Sequence, residues 1–276
     1  MSLSLSPAIH NAAFDALGMD WIYLPFGVPA VLLPTALRGL AASGVRGMNV
    51  TMPHKIAAME VMDDISEAAA KIGAINTVEV RGDMLVGHNT DGEGLIRFLR
   101  VDVGADLAFS RALVLGAGGA ARAAVVALAG AGVAEIWVVS RDAAKAAALE
   151  PLAAPAIFHS GSLDEGGGHL IGEADVIINA TPLGQKREEP AVSPEKIRKE
   201  TVVVDLVYKP PVTPLIEAAR AQGAVAHSGL GMLLHQAALS FQIWTGAEPP
   251  METMSAAGVA ELSDPEVGQD GAAETV

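Results

Sequence analysis

The chain of 276 residues contains no cysteine, and this absence excludes a disulfide scaffold and any zinc site built on thiolates. Its seven histidines show no metal-ligand spacing such as His-Glu-x-x-His, so we expect no metal. Aromatic residues make up only 4% of the chain, which is rich in small and aliphatic residues. This mix favours helices packed closely against parallel strands over a β-sandwich.

Positive charge is also scarce, since 18 Lys and Arg residues stand against 32 Asp and Glu residues and give a net charge of −14. We expect no nucleic-acid partner, because the phosphates would be repelled. Residues 1–14 lack the basic and apolar segments of a signal peptide. The long uncharged stretch at residues 21–37 contains three prolines, so we expect no membrane helix and a cytoplasmic protein.

Hydrophobic residues make up 51% of the chain and provide for a large core. In the first third, helices predicted at residues 8–17 and 35–43 alternate with short strands. We predict those strands at residues 21–26, 45–50, 76–80 and 84–87, the last two joined as a hairpin at Arg81-Gly82-Asp83. After about residue 110 the rhythm changes to buried Val- and Ile-rich strands separated by helices, which is typical of a doubly wound parallel sheet.

These patterns predict an α/β protein of two domains. Residues 1–93 together with 230–258 would form an α/β substrate-binding and catalytic domain, and residues 94–229 a Rossmann-like dinucleotide-binding domain. Residues 259–276 carry only acidic charges and are predicted to be a flexible tail.

A glycine-rich turn joins the predicted strand at residues 113–115 to a long Ala/Val helix. Its sequence is Gly116-Ala117-Gly118-Gly119-Ala120-Ala121, which matches the dinucleotide fingerprint G-x-G-x-x-A. The first glycine permits the tight turn, the second lets the backbone approach a pyrophosphate, and the alanine allows close packing of helix on strand. Free N–H groups at the helix start would bind the phosphate charge.

The preference between NADP and NAD depends on the end of the next strand, Ser140-Arg141-Asp142. An arginine there can pair with the 2′-phosphate of NADP, and a carboxylate can accept from the ribose hydroxyls of NAD. Asp142 is equally well explained as a helix N-cap, so Arg141 favours NADP while NAD stays possible. Arg122 is a weaker candidate for the phosphate, because an arginine on an exposed helix face is usually only solvated.

Short polar segments in the first third go beyond what a fold requires. Serines precede Pro7, and residues 49–55 place Lys55 just inside a helix predicted to begin near Pro53, where the helix dipole disfavours a lysine. Taken singly, each segment is typical of a turn or a helix cap.

Together the segments occur in a fixed order along the chain. They are Ser-x-Ser-Pro-x-x-His-Asn, Asn-Val-Thr-x-Pro-x-Lys, Gly-Ala-x-Asn-Thr, Asn-Thr-Asp-Gly-x-Gly, Gly-Ala-Gly-Gly-Ala-x-Arg, Asn-Ala-Thr-Pro-Leu-Gly and Gly-Leu-Gly-Met-Leu followed by a glutamine. This ordered set, spread over residues 4–236, closely resembles the shikimate dehydrogenase family.

The resemblance implies the reversible, NADP-dependent reduction of 3-dehydroshikimate to shikimate, a step of aromatic amino-acid biosynthesis. The oligomeric state stays open between a monomer and a homodimer. Lys55 and Asp91 would handle the hydroxyl proton while hydride moves to or from the nicotinamide. By the same resemblance, the substrate would contact Ser4, Ser6, Thr51, Asn76, Tyr208 and Gln236. The cofactor would contact Gly116, Ala117, Gly118, Gly119, Ala120, Ser140, Arg141, Thr181 and Gly231.

The sequence departs from the family pattern in three places. Gln185 replaces the usual methionine of the nicotinamide loop, and Ser140-Arg141-Asp142 replaces Asn-Arg-Thr. The family also has a strand and a Gly-x-Pro turn before the serine segment, so we expect the first domain to lack its first strand. Two alternatives stay open: a quinate or aminoshikimate dehydrogenase using NAD or NADP, and a dinucleotide-binding regulator without turnover.

Overall fold

Short strands from the first third of the chain form a small mixed sheet in the computed structural model, which describes residues 4–163 and 170–263. Strand β1 (Gly47–Asn49) pairs antiparallel with β3 (Thr77–Arg81), β3 forms a hairpin with β4 (Met84–His88), and β2 (Asp64–Ile65) runs parallel to β4. The hairpin turns at Gly82, whose φ of +63° suits glycine, as predicted. In this sheet β1 is an edge strand.

Three helices precede or follow the strands of this sheet in the first third of the chain. They are α1 (Ser6–Ala16), α2 (Leu33–Ala42) and α3 (Glu67–Ile72), with 3-10 turns at Ala30–Leu32 and Ala57–Val61. The helices predicted at residues 8–17 and 35–43 are therefore confirmed.

The strand predicted at residues 21–26 is wrong. This segment is irregular, and its main chain hydrogen-bonds to one side chain: Tyr23 N donates to Asn11 Oδ1 at 2.6 Å, and Asn11 Nδ2 donates to Tyr23 O at 3.1 Å. Apolar side chains such as Ile22 stay exposed. The apolar pattern is present, but no described strand lies beside it to form a ladder.

The helix predicted to begin at Pro53 is also wrong, because residues 52–56 form turns and the 3-10 turn starts only at Ala57. The carbonyl of Lys55 accepts a 2.9 Å hydrogen bond from Ile75 N, which belongs to a distant segment. A tertiary bond thus replaces the helical bond that the local sequence predicts.

The second sheet consists, in the described part of the chain, of parallel strands in the order β10-β9-β8-β5-β6-β7. Their bounds are β5 (Arg111–Leu115), β6 (Glu135–Ser140), β7 (Ile157–Ser162), β8 (Val176–Asn179), β9 (Val202–Asp205) and β10 (Val225–Ser228). The order reverses at β5, which lies between β6 and β8, as in a doubly wound Rossmann-like fold. The predicted fold class is confirmed.

The remaining helices connect the two sheets and pack on them. They are α4 (Asp91–Arg97, continued by a π-turn at Phe98–Asp102), α5 (Gly119–Gly130), α6 (Ala143–Ala147), α7 (Pro214–Ala221), α8 (Leu230–Thr245) and α9 (Met251–Ser263). Helix α8 folds back on the first sheet, where Trp244 Nε1 donates to Val78 O at 3.0 Å. None of the described helices is both long and apolar enough to span a bilayer.

The start of the predicted flexible tail is wrong by several residues. Helix α9 continues to Ser263 and packs on α1, with Met254 fully buried and Gly258 against Ile9. The apolar face of α9 gains a packing partner that the acidic composition of the segment does not reveal. Residues 264–276 of the predicted tail lie outside the described residues.

Candidate functional site

The carboxyl ends of four parallel strands meet at one edge of the second sheet. Strands β5, β6, β8 and β9 end there, and the reversal of strand order at β5 opens a crevice above that edge. In doubly wound sheets this crevice is where a dinucleotide binds.

The fingerprint turn lies above β5 and has the geometry that a pyrophosphate site needs. Gly116 has a φ of +106°, which favours glycine, and a β-carbon built there would lie 3.0 Å from Ala180 O. A β-carbon on Gly118 would meet nothing within 4 Å, so the backbone is open to a ligand. Ala121, in the first turn of α5, is fully buried. These residues fit a dinucleotide phosphate held by the free N–H groups at the start of α5.

Lys55 and Asp91 form an ion pair in which Lys55 Nζ lies 2.5 Å from Asp91 Oδ2. The side chains are 17% and 6% exposed, so the pair is mostly shielded from water. Asn76 Nδ2 donates to the other carboxylate oxygen at 2.9 Å, and Asp91 N donates to Asn89 Oδ1 at 3.0 Å. The carboxylate is thus held at both oxygens and through its backbone.

This pair lies directly beside the fingerprint. A β-carbon built on Gly119 would lie 3.4 Å from both Cβ and Cδ of Lys55. The structure therefore brings the predicted catalytic residues against the predicted cofactor helix, although they are far apart in the sequence.

Two of the predicted substrate residues, Asn76 and Gln236, are linked to this pair by hydrogen bonds. Gln236 on α8 accepts from Asn76 Nδ2 at 3.1 Å through Oε1, and both side chains are buried. Ser6 begins α1 and hydrogen-bonds through its side chain to Tyr23, whose hydroxyl lies 3.0 Å from Asn49 Oδ1. Burial raises the pKa of Tyr23 to about 12, so this hydroxyl stays protonated at neutral pH.

Other predicted substrate residues differ from these in their exposure and surroundings. Ser4 and Thr51 are exposed, and the Ser4 hydroxyl accepts from Ser6 N at 3.3 Å. Tyr208 follows β9 and packs against the apolar cluster of α1 and α8, where burial raises its pKa. Asn76 and Gln236, by contrast, are buried and belong to the hydrogen-bonded network of the catalytic pair.

A buried network of hydroxyl and amide groups is hydrogen-bonded to the site. Ser240 on α8 lies 2.7 Å from Thr77 Oγ1 and 3.3 Å from Thr90 Oγ1, and it accepts from Asn49 Nδ2 at 3.2 Å. Asn76 Nδ2 donates to Thr90 Oγ1 at 2.8 Å, which joins the network to the catalytic pair. Sequence reasoning missed Ser240, because a serine in a helix carries no sign of its buried partners.

The loops after β8 and β9 are tied together by one carboxylate. Asp205, fully buried, accepts from Asn179 Nδ2 at 2.8 Å and from Thr213 Oγ1 at 2.6 Å, and burial raises its pKa. Asn179 Oδ1 in turn accepts from Thr181 Oγ1 at 2.6 Å. This network fixes the loop that carries Thr181 at the crevice.

In the segment expected to recognise the 2′ position, Ser140 is buried, whereas Arg141 and Asp142 are exposed. Ser140 Oγ donates to Asp142 O at 2.6 Å, and Asp142 Oδ1 accepts from Lys145 N at 3.1 Å. Asp142 is thus the N-cap of α6, as one interpretation predicts, and this backbone bond lowers its pKa. Arg141 is exposed, and Lys145, which lies 3.4 Å from Asp142, is a second exposed cation that sequence reasoning missed.

Helix packing explains the glycine at position 231 independently of the predicted cofactor contact. A β-carbon built there would clash with the ring of Phe98, so glycine is required for α8 to pack on α4 and its π-turn. Among residues 4–163 and 170–263, no group of three or more His, Asp or Glu side chains could hold a metal ion.

The fold and the site together define a class: a two-domain oxidoreductase with a Rossmann-like dinucleotide domain. Family models match most of the chain, namely the shikimate dehydrogenase substrate-binding domain (residues 1–78), shikimate/quinate 5-dehydrogenase (100–223) and the shikimate 5'-dehydrogenase C-terminal domain (229–257). The chain belongs to the shikimate dehydrogenase family.

Individual relatives are similar over nearly their whole length. Shikimate dehydrogenase (NADP(+)) of Methanopyrus kandleri is 42% identical over 266 residues, covering 94% of this chain and 92% of the relative. The crystal structure of the Thermus thermophilus enzyme with NADP(H) and shikimate has a TM-score of 0.85 at 37% identity, covering 94% and 95% of the chains. Quinate dehydrogenase from Corynebacterium glutamicum, solved with NAD, has a TM-score of 0.86 at 32% identity, covering 94% and 95%.

Proposed function

We propose that this chain is an NADP-dependent oxidoreductase that interconverts 3-dehydroshikimate and shikimate by hydride transfer at one CH–OH carbon. The observation that carries the proposal is the Lys55–Asp91 ion pair, which is largely shielded from water. Its lysine lies against the fingerprint, 3.4 Å from the point where a β-carbon on Gly119 would be. The relatives named for this activity match at 42% and 43% identity over more than 90% of the chain.

The chemistry requires a group that exchanges a proton with the substrate. When shikimate is oxidised, the bound NADP supplies the hydride acceptor, and the hydroxyl proton must leave to a base. Lys55 and Asp91 share one 2.5 Å hydrogen bond, so the pair can accept that proton and return it in the reverse direction. Asn76, which holds the second oxygen of Asp91 at 2.9 Å, keeps the carboxylate oriented toward Lys55.

The proposed substrate site is formed by the first domain and α8. Asn76 and Gln236 present amide groups next to the catalytic pair and suit the ring hydroxyls, together with Thr51. Ser4 and Ser6 at the start of α1 would bind the carboxylate, and Tyr208 would close the site from the loop after β9. We propose the domain division predicted from the sequence, residues 1–93 with 230–258 and residues 94–229, so that α4 crosses the boundary.

The proposed cofactor contacts divide between two edges of the crevice. The fingerprint residues Gly116, Ala117, Gly118, Gly119 and Ala120 would bind the pyrophosphate, and Thr181 and Gly231 the nicotinamide half. At the other end Ser140 and Arg141 would surround the 2′-phosphate. Because the Asp142 carboxylate is used as the cap of α6, it competes little for a ribose hydroxyl, and this supports NADP over NAD.

The test is turnover by the purified full chain with shikimate and NADP⁺, followed as NADPH formation. We expect robust oxidation, and loss of it in Lys55→Met, which keeps the length of the side chain and removes its charge. NADPH binding, followed by its fluorescence, should survive in that variant. If the wild-type chain does not oxidise shikimate, or if Lys55→Met oxidises it at the wild-type rate, the proposal is wrong.

A second candidate activity is oxidation of quinate with NAD, favoured by the likeness to the C. glutamicum enzyme solved with NAD. The same proton pair serves both acids, and the acids differ by few polar groups. Rates for shikimate and quinate, each with NADP⁺ and NAD⁺, decide between the two. A higher kcat/KM for quinate with NAD⁺ would replace our proposal with this one.

A further inference from the structure

Arg122 in α5 has no part in the chemistry above, and its side chain crosses to the first domain. Its Nε donates a 2.6 Å hydrogen bond to the carbonyl of Ile72, the last residue of α3. A β-carbon built on Gly73, which has a φ of +69°, would lie only 2.5 Å from Arg122 Nη2. The guanidinium therefore packs on the bare backbone of Gly73, the C-cap of α3.

This position differs from the solvated helix face that the sequence suggests. Arg122 is partly buried, and desolvation lowers its pKa. Within the described residues its side chain pairs with a backbone carbonyl of the other domain and with no carboxylate. Around it Ile72, Ala74 and Ala123 form a small buried apolar cluster between α3 and α5.

The segment that Arg122 binds supports both catalytic residues. Ile75 N donates to the carbonyl of Lys55 at 2.9 Å. Asn89 Nδ2 donates to Ala74 O at 2.9 Å, and Asn89 Oδ1 accepts from Asp91 N at 3.0 Å. A shift of this short segment would therefore move the backbones of the lysine and of the aspartate together.

On its other side Arg122 is part of the fingerprint helix. Its backbone N donates to the carbonyl of Gly118 at 3.0 Å, in the turn that would hold the pyrophosphate. Arg122 thus contacts both the fingerprint turn and the end of α3, next to the segment that hydrogen-bonds to the catalytic pair.

We propose that Arg122 is a positioning residue that couples dinucleotide binding at the start of α5 to the placement of Lys55 and Asp91. This rests on the proposed function and extends it: cofactor and substrate bind cooperatively, and the coupling runs through the Arg122–Ile72 contact. Because coupling between two sites is reciprocal, each ligand tightens the other by the same factor.

The test compares wild type with Arg122→Met, which keeps a long apolar side chain and removes the guanidinium. Shikimate and NADPH form a complex that cannot react, because both are reduced, so their Kd values can be measured alone and together. For wild type we expect each ligand to tighten the other about tenfold, a typical coupling. In Arg122→Met the coupling should fall to about twofold or less, kcat should fall about tenfold, and the Kd for NADPH alone should stay within about twofold.

Two further variants separate positioning from general stability. Arg97→Met on α4 removes an arginine that pairs with Glu93 at 2.8 Å on the surface, and it should keep wild-type coupling and kcat. Gly73→Ala places a methyl group against the Arg122 guanidinium, in a backbone conformation that favours glycine, and should also reduce coupling. In the double variant Gly73→Ala with Arg122→Met the loss of coupling should not add.

The outcomes are distinct from those that test the proposed function. If wild type fails to oxidise shikimate, the proposed function and this inference are both removed. If wild type turns over and Arg122→Met keeps its coupling and kcat, even with a lowered Tm, then Arg122 is only a structural contact and the inference alone is wrong. If Arg122→Met does not fold, Gly73→Ala decides, because intact coupling in that variant overturns the inference.

Discussion

The catalytic pair and the segment at the end of β6 are parts of one proposed site, and their side chains are held very differently. Asp91 is 6% exposed and hydrogen-bonded at both carboxylate oxygens, within a network that reaches Ser240 on another helix. Arg141 is exposed, and the nearby cation Lys145 is 75% exposed with a 3.4 Å contact to Asp142.

This difference follows from what each region must do. Proton transfer needs a fixed distance and orientation, which a buried and fully bonded network provides before the substrate arrives. A phosphate can be held by charges that reorganise around it, and exposed cations accept it at low cost in desolvation. Substitutions in the buried network should therefore change kcat or folding, and substitutions at the end of β6 should change only the affinity for the cofactor.

The largest effect is expected for Asp91→Asn, which keeps the shape of the side chain and removes its charge. Because Lys55 loses its anionic partner and the pair can no longer exchange a proton in the same way, kcat should fall by about 10³. Steady-state rates with shikimate and NADP⁺ measure it, with NADPH affinity as the internal reference. Asp83→Asn at the hairpin turn is the matched control, and a kcat within about tenfold of wild type in Asp91→Asn would show that the buried pair is not the proton-transfer unit.

A pH experiment tests the buried region around α1 through His10. Desolvation lowers the pKa of His10 to about 3. Its ring is fully buried without hydrogen bonds among the described residues and stacks on Tyr23 at 4.7 Å. The unfolded chain binds the proton near the ordinary pKa of 6.5 and the folded chain does not. The contribution of neutral His10 to the free energy of unfolding should therefore be fully present above about pH 6.5. It should fall on acidification toward about pH 3, by up to about 1.4 kcal/mol per pH unit.

The variant His10→Phe removes this proton linkage and keeps the stack. Denaturant unfolding at pH 7 and pH 5 should show that wild type loses about 2 kcal/mol more than the variant over this interval. His159→Gln, which removes a half-exposed histidine 3.8 Å from Glu135, should retain the wild-type pH dependence. Equal losses in His10→Phe and wild type would contradict a neutral buried imidazole.

On the exposed side, Arg141→Ala should lower kcat/KM for NADP⁺ about thirtyfold, the value of one charge-assisted hydrogen bond of about 2 kcal/mol. The kcat/KM for NAD⁺, which has no 2′-phosphate, should stay unchanged, and so should kcat at saturating NADP⁺. Arg81→Ala on the β3–β4 hairpin serves as a control of equal charge change. A parallel loss with both cofactors would mean that Arg141 acts on the fold and not on the phosphate.

The contrast also explains what the sequence could predict. The Rossmann-like sheet, the fingerprint and the Asp142 cap are local patterns, and the structure contains all three. The ordered polar motifs indicated Lys55 and Asp91 through family resemblance. The pairing of these two side chains, however, depends on turns brought together from distant segments.

The errors lie where tertiary contacts override local pattern. Residues 21–26 have the composition of a strand without a described neighbour, and Lys55 lies in a turn because Ile75 N takes its carbonyl. Arg122 was expected on a solvated helix face, yet it binds a carbonyl of α3. Every residue has a backbone carbonyl, so a contact with one leaves no pattern in the sequence.

The smallest effect is expected for Lys145→Ala, which tests whether the cations at the end of β6 act as exposed charges. Lys145 is 75% exposed and 3.4 Å from Asp142, so its ion pair contributes little to stability, while its charge can still reach a phosphate bound at Arg141. We expect KM for NADP⁺ to rise about threefold at low salt, with less change at high salt because an exposed charge is screened. Steady-state assays at two ionic strengths measure this, and Lys199→Ala, an equally exposed lysine after the 3-10 turn at Pro194–Lys196, should change neither value. A salt-independent rise in KM would contradict an exposed electrostatic contact and would mean that the end of β6, like the catalytic pair, excludes water when the cofactor binds.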